Sequence, residues 1–421
     1  MPEQQAEAAP RKPPHRWLLM ASLILAGEAV YMLPYMRRSF QTSMELTFEL
    51  GAFEIGTLNA LFGLLALVCY LPGGWLADRV SARRLLTLSL VATGLGGLYM
   101  ATVPGYAGLL VVHAFWGIFS ILTFWAALIK ATRLWSEPDA QGRAFGILDG
   151  GRGLVGAGLA SIAALSFSLS DRVESGLVAV IIVYSAAALL AGALVWLIVP
   201  DDHATAQAPG PHAVTGLIGP TLRLPELWLI AAVIFCAYFL FLGSYEFPAY
   251  AERGFDRSKA FGAWLGAFRD WLRPLAAVGA GILADRTSAS RAISLLFASL
   301  ALTYATLALL PADNAWIAIL WAQVAVTALA VFALRGIYFA LLEEAGIPLR
   351  LTGIAVGTIS MIAFTPDIFA PLVAGWLVDN NPGVVGYRIY FVLLTGAALA
   401  GLLAVSTLRL RALRGRLTRH D

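Results

Sequence analysis

Residues 73–84, GGWLADRVSARR, set one aspartate and three arginines, Asp78, Arg79, Arg83 and Arg84, in a short gap between two apolar runs. Each run is about 20 residues long, enough for a helix to cross a hydrocarbon core about 30 Å thick. The rest of the chain has the same texture, with 59% of its 421 residues hydrophobic and 13% charged. Its mean hydropathy is +0.76. That composition excludes a soluble domain of this length and marks a polytopic membrane protein.

Outward from this gap, apolar stretches of crossing length recur at about 17–36, 54–73, 85–103, 106–130, 144–168, 176–199, 226–250, 259–281, 291–311, 314–341, 351–377 and 385–408. Twelve spans put both termini on one side. On that assignment 18 Lys and Arg lie on the side of the termini and 7 on the other, Arg37 and Arg38 among the 7. The excess makes the termini cytoplasmic. Residues 1–16 then form a cytoplasmic tail, 17–199 and 226–408 two six-helix bundles, 200–225 a cytoplasmic central loop rich in Ala, Pro and Gly, and 409–421 a basic cytoplasmic tail.

An internal repeat agrees with that division. YMLPYM (31–36) matches YEFPAY (245–250), pairing Tyr31 with Tyr245 and Pro34 with Pro248; GGWLADRVSARR matches GAGILADRTSASR (279–291), pairing Asp78 with Asp285. GRAFG (142–146) meets GIAVG (353–357) in the same order. Cys69 and Cys236 sit in apolar runs without metal-like spacing and are expected to pack, so neither a disulfide framework nor a metal site is expected. His113 is the one histidine within a span, and no catalytic constellation accompanies it. Neither enzyme chemistry nor nucleic-acid binding is expected, and no cofactor.

The stretch from Gly74 to Arg84 resembles the signature G-x-x-x-D-R-x-G-x-R-R of the major facilitator superfamily, with Ser81 in place of the second glycine. Span count, central loop and duplication extend the resemblance over the chain after residue 16. It implies an all-α fold of two pseudo-symmetric six-helix bundles that alternate access to a midplane site. It also implies that Gly74, Asp78, Arg79, Arg83 and Arg84, with the degraded copy at Asp285 and Arg286, gate the cytoplasmic side. Charge and helix-end chemistry suit such a latch.

Ionisable residues inside spans are costly in lipid and normally face a cavity or a partner. The acids are Glu28, Asp149, Glu246, Asp270 and Asp367, and the bases Arg152, Arg269, Arg273 and Arg335. By the resemblance, all lie on cavity-forming helices. In AFRDWLRP (267–274), Arg269 and Arg273 are four apart and share a helix face. They are expected to bind a small organic anion, a carboxylate before a phosphate or sulfonate, because guanidinium pairs bidentately with such groups and stays charged when buried. Asp270 is expected to orient them, with Arg152 or Arg335 as a second contact and Tyr31 and Tyr245 as hydrogen-bond donors. The alternative for the charges is an internal network using Glu28, Asp149 and Asp367 as partners, and a mixture, with one arginine structural and one binding substrate, is favoured over either alone. Proton coupling needs a group that titrates as the cavity opens, and Glu28 and Asp367 lead Asp149 and His113 for that role. The expected partners are the anion, protons and membrane lipids, with the chain acting as a monomer. The competing reading is a carrier of neutral or lipophilic molecules whose charges serve gating and packing.

Overall fold

The computed structural model describes residues 16–135, 141–201, 219–348 and 352–417. Helices and their connecting turns account for them, with no strand among the described residues. The N-terminal part contains α1 (Arg16–Met32), α2 (Arg37–Phe48), α3 (Ala52–Ala77), α4 (Ala82–Met100), α5 (Tyr106–Phe119), α6 (Ala126–Trp135), α7 (Gln141–Ser168) and α8 (Val173–Ile198). The C-terminal part contains α9 (Pro225–Gly243), α10 (Phe247–Gly254), α11 (Lys259–Arg286), α12 (Ala289–Leu309), α13 (Ile317–Ile337), α14 (Leu341–Glu344), α15 (Thr352–Ala363), α16 (Pro366–Asp379) and α17 (Val385–Leu417).

Among the described residues, ten helical stretches are long and apolar enough to cross a membrane. The expected spans at 85–103 and 259–281 are also helical, as α4 and α11, but are less apolar. Arg83 and Arg84 open the 19-residue α4, and α11 carries Lys259, Arg269, Asp270 and Arg273. Both find cover from neighbours: α4 runs along α8, and α11 lies against α7 and α13. The last helix overruns its expected end at 408, since residues 408–417, LRLRALRGRL, are mostly Leu, Arg and Ala, which favour helix. The expected tail at 1–16 (except Arg16) and most of the expected loop at 200–225 lie outside the described residues.

Several helices break at one level, and the sequence explains each break. Proline lacks an N–H and crowds the carbonyl four residues back. Pro34 falls in the turn between α1 and α2, and Pro248 follows the 3₁₀ turn Ser244–Glu246 between α9 and α10. The repeated Tyr and Pro pairs of the sequence thus mark repeated breaks. Pro366 starts α16 just after the turn that ends α15. Between α5 and α6 the helix widens into a π-turn, Ser120–Trp125, a rare form common at functional sites.

The first helix does not end at residue 36 as the hydropathy suggests. α2 continues through RRSFQTSMELTF, burying Arg37, Ser39, Gln41, Thr42 and Ser43. Met36, Phe40, Met44 and Phe48, spaced four apart, are buried as an apolar stripe that anchors this polar helix.

Buried apolar side chains between 227 and 408 form one core, joined by Ala52, while those between 19 and 199 form separate clusters, joined by Ala263 and Ala267. Two seams connect these regions. On one, α3 meets α16 so closely that a Cβ on Gly56 would lie 2.3 Å from the Pro371 carbonyl oxygen, and one on Gly375 would lie 2.4 Å from that of Ala52. Only glycine permits this approach. On the other seam α11 meets α7, where Trp264 and Trp271 donate to Ser168 and Ser161 at 3.2 and 2.9 Å.

At the end of the molecule away from the 78–84 loop, polar links tie the parts together. Arg37 pairs with Glu246 at 3.0 Å with both side chains almost fully buried, Thr42 donates to Glu252, and Arg253 pairs with Glu45. Asp379 accepts from the backbone N–H groups of Ala52 and Phe53 at 3.1 and 2.7 Å, capping α3 from the opposite part.

Candidate substrate-binding site

A cavity of about 190 Å³ lies at the level of the helix breaks. α1 and the turn after it contribute Glu28, Tyr31 and Tyr35; α2 contributes Arg38, α3 Phe62 and Tyr70, the π-turn Trp125 and α7 Arg152. The C-terminal part contributes Tyr238 and Phe241 from α9, Tyr245 from the 3₁₀ turn, Arg273 from α11, Arg335 from α13, and Phe364 and Asp367 from around Pro366. A recess of about 30 Å³ shares Glu28, Arg38, Phe241, Arg273 and Arg335 with it and reaches Arg269 and Asp270.

The two arginines of AFRDWLRP have different partners. Arg269 is fully buried: its Nη2 and Nε reach Asp270 Oδ1 at 2.7 and 3.1 Å, its Nη1 donates to the Ser244 carbonyl at 3.4 Å, and its guanidinium carbon lies 4.7 Å from the centre of the Tyr245 ring. The other oxygen of Asp270 is 3.2 Å from Arg38. Asp270 therefore holds Arg269 and Arg38, its pairing crossing from α11 to α2. Arg273 pairs with Glu28 at 3.3 Å and Asp149 at 2.7 Å. Arg152 approaches the same carboxylates at 3.6 and 3.8 Å and donates to the Gly27 carbonyl at 3.0 Å. Glycines make room for this cluster, since a Cβ on Gly156 would meet Glu28 at 2.7 Å. The Asp149 side chain is 63% exposed and pairs with Arg273 of the cavity wall.

Across the cavity the charges have no ion-pair partner among the described residues. Arg335 forms no ion pair among the described residues; its guanidinium carbon lies 4.1 Å from the centre of the Phe241 ring and 5.7 Å from that of Tyr238. Cation–π contacts hold such a group without neutralising it. Asp367 also has no cationic partner within ion-pair distance among the described residues, and accepts from Tyr238 at 2.7 Å and Tyr35 at 3.4 Å. Tyr31 reaches the Ser120 carbonyl of the π-turn at 3.5 Å. His113 lies apart from the cavity, fully buried against Trp116, with Nδ1 2.9 Å from the Leu109 carbonyl.

Helices arranged in this way around a charged central cavity agree with comparisons to known proteins. Residues 17–365 match the family model described as Major Facilitator Superfamily. The chain belongs to the Major Facilitator Superfamily. It is 28% identical to the inner membrane protein YqcE of Escherichia coli (strain K12) over 404 residues, covering 93% of this chain and 94% of that one. Identity to the inner membrane protein YihN of the same organism is also 28%, over 92% and 93% of the chains. In fold it is similar to the nucleoside transporter NupG, with a TM-score of 0.73, 13% identity and coverage of 93% and 98%. It is likewise similar to a bacterial homologue of the human lysosomal transporter Spinster, with a TM-score of 0.72, 17% identity and coverage of 96% and 99%. As a superfamily member it is a secondary transporter of small molecules and not an enzyme, and its apolar helices make it a multi-pass membrane protein.

The superfamily motif lies at the end away from the polar links. Gly74 has open space where a side chain would be, and Asp78 is exposed at the C-terminal end of α3. Arg79 donates to the Trp75 carbonyl at 3.1 Å and lies over its ring. Arg83 and Arg84 pair with Asp201, after α8, at 2.8 and 3.0 Å. A hydrogen bond from Ser81 and these two guanidinium groups hold the Asp201 carboxyl down at about 2. The substitution of the family glycine has a local reason, since the Ser81 hydroxyl caps α4 by accepting from the Arg84 N–H at 3.4 Å. Ser288 caps α12 in the same way, accepting from the Arg291 N–H at 3.4 Å, so the repeat extends to its caps. Arg286 is exposed at the end of α11; the Asp285 side chain lies outside the described residues.

Sequence reasoning assigned Arg37 and Arg38 to an outer loop and missed Tyr35 and Tyr238. The four-residue spacing of Met36, Phe40, Met44 and Phe48 was the available signal for the arginines. For the tyrosines it was a hydroxyl in the middle of an apolar run, which needs a partner when buried.

Proposed function

We propose that this transporter carries a small organic monoanion, with Arg335 as its principal contact. The observation that carries this reading is the guanidinium of Arg335 in the cavity wall, which has no ion-pair partner among the described residues. The surrounding charge supports it. Arg38, Arg152, Arg269, Arg273 and Arg335 stand against Glu28, Asp149, Asp270 and Asp367 around the cavity and its recess, an excess of one positive charge. Such an excess is costly away from water, and one bound anion balances it. Carboxylate suits guanidinium best. Arg273 and Arg152 bound the site through their pairing with Glu28 and Asp149, and Arg269 and Asp270 brace it.

Asp367 is our candidate for proton coupling. When ionised it accepts from Tyr35 and Tyr238 on separate oxygens; when protonated, one of those oxygens becomes a donor and frees its tyrosine hydroxyl for the substrate. Twelve crossings, both termini in the cytoplasm and two six-helix bundles remain the reading best supported by the separate cores. On that reading the polar links lie on the outer side and the exposed Asp149 on the inner, an arrangement that fits an inward-facing conformation. The bundles would then rock about the cavity, and Asp78, Arg79, Arg83 and Arg84 would engage the second bundle when the inner side closes.

Thermal-shift measurements on the purified protein test the substrate charge, because a ligand bound only to the folded state raises its stability. Monocarboxylates are compared with their neutral amides. Carboxylates are expected to stabilise, amides not, and Arg335→Gln to abolish the effect. Equal stabilisation by the amides would overturn the reading in favour of a carrier of neutral molecules.

A further inference from the structure

The cavity wall is more aromatic than anion binding alone requires. Six rings, Tyr31, Tyr35, Tyr245, Phe241, Tyr238 and Phe364, follow one another around it, with successive centres 6.3, 6.2, 5.2, 5.8 and 4.8 Å apart. The planes of four of these five neighbouring pairs are inclined by 57° to 76°. The belt is therefore not a closed stack, and presents both faces and edges, the two aspects that attract another aromatic ring. It crosses the interface, with Tyr31 and Tyr35 before the central loop and the others after it. Arg335 lies against Phe241 in the same belt, so the unpaired cation and the rings form one surface.

Size limits what this surface can hold. A cavity of about 150 Å³ lined by apolar groups holds one benzene. The space here, about 190 Å³ with a recess of about 30 Å³, admits one such ring and a small charged group. The recess is bounded by Arg38, Arg269, Arg273 and Arg335 against Glu28 and Asp270, an excess of positive charge that directs the charged group there and leaves the ring against the belt.

We infer that the substrate class is the monocyclic aromatic monocarboxylates, of benzoate size, with the carboxylate toward Arg335 and the recess and the ring against Tyr238, Phe241 and Tyr245. The inference rests on the proposed anion reading. Direct binding of benzoate, cyclohexanecarboxylate and benzamide to the purified full chain separates the two. The flat ring should bind about tenfold more tightly than the saturated one of the same charge, the result of one or two ring–ring contacts. Benzamide should bind at least tenfold more weakly than benzoate. Phe241→Leu should narrow the gap between benzoate and cyclohexanecarboxylate. Equal binding of the two acids, or no binding of benzoate, overturns the aromatic class. Equal binding of benzamide and benzoate instead removes the anion reading and leaves the ring preference standing.

Discussion

The two sides of the cavity use similar residues for different ends. Toward α7 and α11, Arg152 and Arg273 are locked to Glu28 and Asp149, while behind them Arg269 and Arg38 share Asp270. Toward α13 and α16, Arg335 leans on aromatic rings and Asp367 on tyrosine hydroxyls, with no ion pair for either among the described residues. A buried charge that already has its partner is hard to recruit, because breaking the pair leaves the other ion stranded. A charge held only by rings and hydroxyls can be recruited. On the proposed reading, position inside a membrane does not single out a binding residue; the absence of a partner among the described residues does.

The largest expected effect lies on the paired side. Arg269→Met strips Asp270 of its closest partner and should lower stability by about 3–5 kcal/mol, read as a fall in the unfolding midpoint in detergent. Anion affinity of the surviving folded protein should change little. If the midpoint holds and affinity collapses instead, the division between the two sides fails.

Next comes the unpaired side. Arg335→Gln should leave stability within about 1 kcal/mol yet weaken anion binding about a hundredfold, the loss of a charged hydrogen-bonding contact of about 2.7 kcal/mol. Titration calorimetry measures the affinity and thermal unfolding the stability; a loss of stability to match that of Arg269→Met would make Arg335 a packing residue.

Asp367→Asn removes a negative charge near that arginine and keeps a hydrogen-bonding shape. Anion affinity should rise about threefold to tenfold, as about 0.7 to 1.4 kcal/mol of repulsion is relieved. Uptake into proteoliposomes should at the same time lose its dependence on pH. Uptake that keeps its full pH response would move proton coupling elsewhere, Glu28 being the next carboxylate on the cavity wall.

The smallest effect lies outside the cavity and serves as its control. Ser81→Ala removes the cap of α4 and should cost about 1 kcal/mol, whereas Ser81→Gly should cost only a few tenths; neither should alter anion affinity. The carboxyl of Asp201 is held below the ordinary value for aspartate, so its pairing with Arg83 and Arg84 is complete above about pH 4. It weakens only as pH falls through about 2. Any change of transport between pH 5 and 8 therefore arises from other groups.

Much of the fold was legible in sequence. Hydropathy located the crossing helices, and the Tyr and Pro repeat located matching breaks at Pro34 and Pro248. Pairing was less legible. Spacing on one helix suggested Arg269 and Arg273 as a team, but their partners come from other elements: Arg38 and Asp270 meet across α2 and α11, and Glu28 and Asp149 reach Arg273 from α1 and α7. Hydropathy assigned Arg37 and Arg38 to water because a window average cannot register a polar helix whose buried stripe recurs every fourth residue. Arg335 was only a secondary candidate, because its lack of a carboxylate is a property of three-dimensional neighbours.

The π-turn at Ser120–Trp125 makes this transporter tolerant of an unusual kind of genetic change. A π-turn contains one residue more than the α-helical path it replaces, so deleting a single residue there would allow a regular helix to form with everything downstream left in place. α6 would keep the Lys130 amine on the Ala77 carbonyl and the Trp135 indole on that of Arg16, which they reach at 3.1 and 2.7 Å. One codon lost within α6 itself would instead turn all that follows by about 100°.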